Sequence, residues 1–100
     1  MLRNITPCAF WPTAPVEAPT TIGNPNAVLM VGADGDPAAP FPGQQVMHRA
    51  LAGSRMVTLQ GAFRHGVFLT AGNGCIDAAV TDYLVNGQLP THDNTCKATN

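Results

Sequence analysis

Val28-Leu29-Met30-Val31-Gly32-Ala33-Asp34-Gly35-Asp36-Pro37 is the stretch on which the fold turns. Its front half, with Ala27 before it, is a short continuous apolar run bounded by Pro25-Asn26 and Gly32. No polar residue alternates within the run, which is the pattern of a strand buried on both faces, as in a parallel sheet. The back half, Gly32 to Pro37, is turn chemistry that breaks the strand.

Reading outward, the spacing predicts a helix near 43–52, with Val46, Met47, Ala50 and Leu51 as its apolar stripe and Gly53 as its stop. Residues 55–60 alternate polar and apolar and read as a second strand. Residues 61–74 form a glycine-containing loop that carries His65. A last helix starts near Gly74, with Asn73 as its cap and Asp77 in its first turn. Ile76, Ala79, Val80, Tyr83 and Leu84 lie on one helical face, and Gly87 and Pro90 end the element. Upstream, residues 1–25 hold five of the nine prolines and read as an extended arm carrying Cys8, Phe10 and Trp11. An aromatic in such an arm usually docks on an apolar surface, here one that other parts of the protein could provide.

The expected architecture is therefore α/β: a strand–helix–strand–helix unit with two parallel strands over residues 26–100, preceded by the arm 1–25. A strand–helix–strand crossover is right-handed and makes its strands parallel. Two such strands do not form a stable sheet alone, since parallel sheets need several strands and cover on both faces.

Composition narrows the class. With 45% hydrophobic residues the chain is not intrinsically disordered. Only 11% are charged and the net charge is −1, so a nucleic-acid role has no electrostatic footing. No run approaches the length of a membrane span. Met1-Leu2-Arg3-Asn4 lacks the apolar stretch of a signal peptide, so any export address is expected upstream of these residues.

Three cysteines, Cys8, Cys75 and Cys96, are an odd number, and one must be unpaired or pair elsewhere. No CxxC spacing argues for zinc. A Cys75–Cys96 bridge would tie down a polar tail and contribute about 3 kcal/mol through lost unfolded-state entropy. Three free thiols are the alternative.

The chemistry is expected at the carboxyl ends of the strands, where α/β sheets bind and react. Asp36 lies just past the first strand and His65 just past the second. Parallel neighbours bring both loops to one edge, and an Asp followed by a His on those loops is how the triad of an α/β-hydrolase ends. The carboxylate would set the imidazole tautomer and stabilise the imidazolium. Each residue also has a plain structural reading: Asp-Pro is common in turns, and a loop histidine is often only exposed. Asp34 could replace Asp36 as the acid, although a turn role suits it better.

Several linked motifs add to this. The stretch from Val28 through Asp36-Pro37-Ala38-Ala39-Pro40 resembles the strand and acid loop of tripeptidyl aminopeptidase-like hydrolases of actinomycetes. His65-Gly66-Val67 resembles their catalytic-histidine loop. Asn73-Gly74-Cys75-Ile76-Asp77-Ala78-Ala79-Val80, then Tyr83 to Pro90 and Cys96, is similar to their closing helix and cysteine-tied tail. Cys8-Ala9-Phe10-Trp11-Pro12 is similar to the segment leading into the acid strand. The resemblance covers about Cys8 to Cys96. It implies a partial α/β-hydrolase fold, Asp36 as triad acid, His65 as general base, a Cys75–Cys96 disulfide and a secreted serine exopeptidase acting from the free N-terminus of peptides. It implies no metal or cofactor.

One departure is large. No G-x-S-x-G occurs, and the single serine, Ser54, sits at a helix-to-strand turn and reads as structural. The oxyanion hole is missing with it. The expectation is thus a C-terminal part of such an enzyme, inactive alone, whose partners are a peptide substrate and the N-terminal part that carries the nucleophile. The alternative is a non-catalytic, disulfide-stabilised binding or assembly module. Such a module must hide its sheet edges, so the isolated chain is expected to self-associate, by pairing edge strands or swapping the arm. Arg64 reads as solvated, His48 as exposed on its helix, His92 as part of the polar tail, and Met30, Met47 and Met56 as packing residues.

Overall fold

The computed structural model describes residues 8–23 and 25–99. Met1-Leu2-Arg3-Asn4 and Pro7, read above as part of the proline-rich arm, lie outside them. Five elements follow in order: β1 (Val28–Ala33), α1 (Phe41–Ala50), β2 (Ser54–Gln60), α2 (Gly74–Asn86) and β3 (Asn94–Lys97). They form a three-stranded, fully parallel sheet of order β1-β2-β3. The two-stranded expectation is corrected: the polar tail adds β3, with Leu59 in register with Cys96.

The apolar run became β1 because neither of its faces is solvent-facing by sequence. Leu29 and Val31 pack toward the core, while Met30 borders a cleft on the opposite face. In β2, Met56, Val57 and Leu59 are buried, and Val57 and Leu59 form the core with Ile76 and Val80 of α2 and with Cys96. Burial of a Leu or Ile side chain contributes about 1.5–3 kcal/mol, so these contacts fasten α2 to the sheet. Asn73 caps α2 by accepting the Ile76 N–H at 3.1 Å, and its amide donates to the Lys97 carbonyl at 2.9 Å. One side chain therefore starts the helix and holds the end of β3.

Cys75 and Cys96 are disulfide-bonded, with Cα atoms 5.8 Å apart. The bond joins the first turn of α2 to β3. Cys8 is free and exposed, and Phe10 and Trp11 are exposed beside it.

α1 departs from its expected form. Pro42 stands in its first turn, where a missing N–H costs nothing. The helix stops at Ala50 with Leu51 as its C-cap, so Gly53 is not its terminator. Gly53 is needed for another reason: a Cβ there would overlap the carbonyls of Pro25 and Asn26. No residue of α1 is fully buried, and Val46 and Met47 of the expected stripe are exposed.

Candidate active site

The β1 and β2 carboxyl ends place two loops against each other. Gly35 N–H donates to the Ala62 carbonyl at 3.1 Å, and a Cβ at Gly35 would come within 2.7 Å of that oxygen. Only glycine lets the acid loop pass so close to the histidine loop. Asp34 adds a second tie, its Oδ1 accepting the Gly61 N–H at 2.9 Å. Asp34 thus serves the turn and does not meet the imidazole.

Asp36 does. Its Oδ2 lies 2.8 Å from His65 Nδ1, with the carboxylate side chain 5% exposed and the imidazole 67% exposed. Its Oδ1 accepts the backbone N–H groups of Ala38 at 2.7 Å and Ala39 at 2.9 Å. The two oxygens therefore have separate tasks: one closes the turn and the other holds the ring. The Ala39 N–H is the largest influence on this carboxyl, and with His65 and Ala38 it outweighs burial and holds the group below the usual carboxylate range. An ionised Asp36 accepts from Nδ1–H, which leaves Nε2 as the basic nitrogen of the neutral ring.

Gln44, which the sequence does not single out, and Asp77 and Arg64, in roles it does not indicate, complete the support. Gln44 of α1 donates to the Ala33 and Ala39 carbonyls at 2.9 and 2.7 Å and braces the acid loop. Asp77 accepts the Leu69 N–H at 2.9 Å, in a loop where Leu69 adopts a left-handed φ of 63°. Arg64 is half-buried, not freely solvated, and its Nε donates to the Gly66 carbonyl at 3.1 Å. A cleft of about 180 Å³ lies beside the pair, bordered by Met30, Gly32, Gln44 and Met56.

A second Asp–His pair stands at the opposite end of the sheet. His48 is half-buried rather than exposed, with Nε2 2.7 Å from Asp93 Oδ2 and Nδ1 2.5 Å from Ser54 Oγ. Ser54 is buried and also donates to the Leu51 carbonyl at 2.7 Å. A buried hydroxyl that caps a helix end is not a nucleophile within reach of substrate. Burial pushes Asp93 up, but the Met56 N–H, His48 and Arg55 bring it below the ordinary range. Asp93 does not stand out in the sequence because it lies in a tail without apolar periodicity. The available signal was its place just ahead of a half-polar segment containing a buried cysteine. His92 is exposed beside Thr91.

Among the described residues, no group of three or more His, Cys, Asp and Glu is placed to hold a metal ion, and no helix is long and apolar enough to cross a membrane.

The chain resembles proteins of known name. It is 38% identical over 93 residues to the tripeptidyl aminopeptidase of Streptomyces lividans, with 90% of this chain covered. It is 35% identical over 91 residues to the serine protease Hip1 of Mycobacterium tuberculosis, with 89% covered. It is 33% identical over 91 residues to carboxylesterase B of the same species, again with 89% covered. In each case the match spans only 17% of the relative's length. The TAP-like protein family matches residues 1–96, and this chain belongs to that family.

Proposed function

We propose that this chain is the acid- and base-bearing part of a TAP-like serine hydrolase, acting on peptides from their free N-terminus, and that it is inactive alone. The Asp36–His65 pair carries the reading: a buried carboxylate on Nδ1 of an exposed imidazole, at the carboxyl ends of adjacent parallel strands. In the assembled site a serine from the remaining part attacks the scissile carbonyl while His65 Nε2 takes its proton. Asp36 stabilises the imidazolium. His65 then returns the proton to the leaving amine, and water releases the acyl group by the same exchange. The Cys75–Cys96 bond supports an exported protein, and the names of the relatives support a hydrolase.

The test is complementation. The chain is mixed with a TAP-like hydrolase polypeptide that retains its elbow serine and lacks the segment aligned here. Hydrolysis of a tripeptidyl chromogenic substrate should appear only in the mixture and vanish with His65→Ala. If both parts are folded and bound yet show no turnover, the reading fails.

A further inference from the structure

The acid loop runs straight from the end of β1 into α1. Ala33 is the last residue of β1, Asp36 follows it, and Phe41 opens the helix. Gln44 stands in the first turn of that helix, where its own N–H donates to the Pro40 carbonyl at 3.2 Å. A helical side chain leans toward the N-terminus of its helix, which here is back toward the loop. A glutamine amide has two N–H donors, and both are used. One goes to the Ala33 carbonyl at 2.9 Å and the other to the Ala39 carbonyl at 2.7 Å. A single nitrogen therefore joins the two ends of the loop that holds Asp36.

The other half of the amide makes no such bond. Oε1 is buried and has no hydrogen-bond partner among the described residues. It lies over the bare backbone of Gly32, where a Cβ would overlap it. Exchanging the amide oxygen and nitrogen would set an acceptor against two carbonyls, so the network fixes the orientation. A buried acceptor without a donor is unfavourable, and the neighbouring Met30, Pro40 and Met47 would suit an apolar side chain. Stability alone does not account for a glutamine here. The line of bonds beyond it does. The Ala39 carbonyl accepts from Gln44 while the Ala39 N–H donates to Asp36 Oδ1 at 2.9 Å, and Asp36 Oδ2 lies 2.8 Å from His65 Nδ1. The imidazole is mostly exposed, so packing does little to orient it and the placement of the carboxylate decides which nitrogen carries the proton.

We infer that Gln44 is a positioning residue for the base: by clamping Ala33 to Ala39 it holds Asp36 so that Oδ2, and not solvent, receives the His65 Nδ1–H. The consequence of this clamp for turnover rests on the proposed function; its geometry does not.

Gln44→Met in the full chain is the test, since it keeps the length of the side chain and removes both donors and the unpaired acceptor. Nitrogen NMR of the neutral His65 ring should show the proton mainly on Nδ1 in the parent, and a mixture shifted toward Nε2–H in the variant. The Asp36 carboxyl faces His65 and is held low chiefly by the Ala39 N–H, so it should titrate at higher pH in the variant. In an Asp36→Asn background the Gln44 substitution should cause no further change of tautomer, because the two side chains act as one unit. In the complemented enzyme Gln44→Met should lower kcat by about tenfold or more and leave KM within about twofold. If Gln44→Met does not fold, Gln44→Ala removes the same donors at a position where alanine suits the helix. A variant that loses stability but keeps the parent's tautomer and Asp36 titration overturns the inference, since a clamp with only a structural task would do the same. So does a further tautomer change in the Asp36→Asn background, or a parental kcat in an active mixture. The ring and carboxyl readouts need only this chain. A mixture without turnover therefore defeats the proposed function and leaves the clamp to be decided by NMR.

Discussion

His48 Nε2 and Asp93 Oδ2 lie 2.7 Å apart across 45 residues of chain, and Asp93 Oδ1 accepts the Met56 N–H at 2.8 Å. One carboxylate thus continues the β2 ladder beyond the start of β3 and ties both to α1. Nothing in this arrangement faces Asp36 or His65. It is a fastening for the tail, built from the same residue types as the Asp36–His65 pair.

Asp93→Ala should therefore act on stability. A net hydrogen bond to a charged group is worth about 1.5–3 kcal/mol, and the exposure of Asp93 puts the loss near the lower end, about 1.5 kcal/mol. Urea denaturation should show that decrease, with faster amide exchange at Met56 and along β3 and no change at His65. A variant as stable as the parent would mean that the tail is held by the disulfide alone.

The disulfide stabilises the tail more strongly than Asp93 does. It closes a sequence separation of 21 residues between α2 and β3, and its loss should cost about 3 kcal/mol. Reduction, or the pair Cys75→Ser and Cys96→Ser, should lower the urea midpoint accordingly. The Cys96 site is 2% exposed, so a serine hydroxyl there adds a desolvation penalty that reduction alone does not. Reduced wild type should consequently be more stable than the double-serine chain.

β1, β2 and α2 were legible because their signals were local: an unbroken apolar run, an alternating run, and a capped stripe ending in glycine. The order Asp36 then His65 on successive loops was legible for the same reason. β3 was not, since Asn94-Thr95-Cys96-Lys97 carries one apolar residue and owes its strand form to the Leu59–Cys96 register and to Asp93. The pairing of His48 is not legible in the sequence, because its partners are Ser54, across a turn, and a residue 45 positions away. The α1 stripe is legible as a pattern, but Val46 and Met47 are exposed, so the pattern does not mark burial against this sheet.

Acid should destabilise the chain through Asp36 and Asp93. Both carboxyls are held below the ordinary value in the folded state. The unfolded chain then binds protons more readily, so the stability these groups contribute is fully present above the ordinary carboxylate pKa of about 4 and is lost as pH falls through the folded values. Thermal melts should show no loss from these two groups between about pH 5 and 7, and a decline below about pH 4. The double variant Asp36→Asn, Asp93→Asn should flatten that decline; an unchanged acid limb would move the cause to other carboxyls.

The division of labour within Asp36 separates structure from chemistry. Oδ1 closes the turn on Ala38 and Ala39, and Oδ2 holds His65 Nδ1. In Asp36→Asn the amide oxygen can keep both backbone bonds while the NH₂ faces the ring. Nδ1 must then accept, the ring proton moves to Nε2, and the nitrogen that the proposed role needs as a base carries a proton instead. Asp36→Asn should keep the fold within about 0.5–1 kcal/mol, because the turn bonds survive. In the complemented enzyme it should lower kcat by about 10⁴, the scale of a wrong tautomer. Asp36→Ala should lose the turn as well and be less stable than Asp36→Asn by about 1–3 kcal/mol, because two N–H groups lose their acceptor. Equal stabilities for the two variants would deny Oδ1 its structural task. An Asp36→Asn enzyme with near-normal kcat would deny Oδ2 its catalytic one.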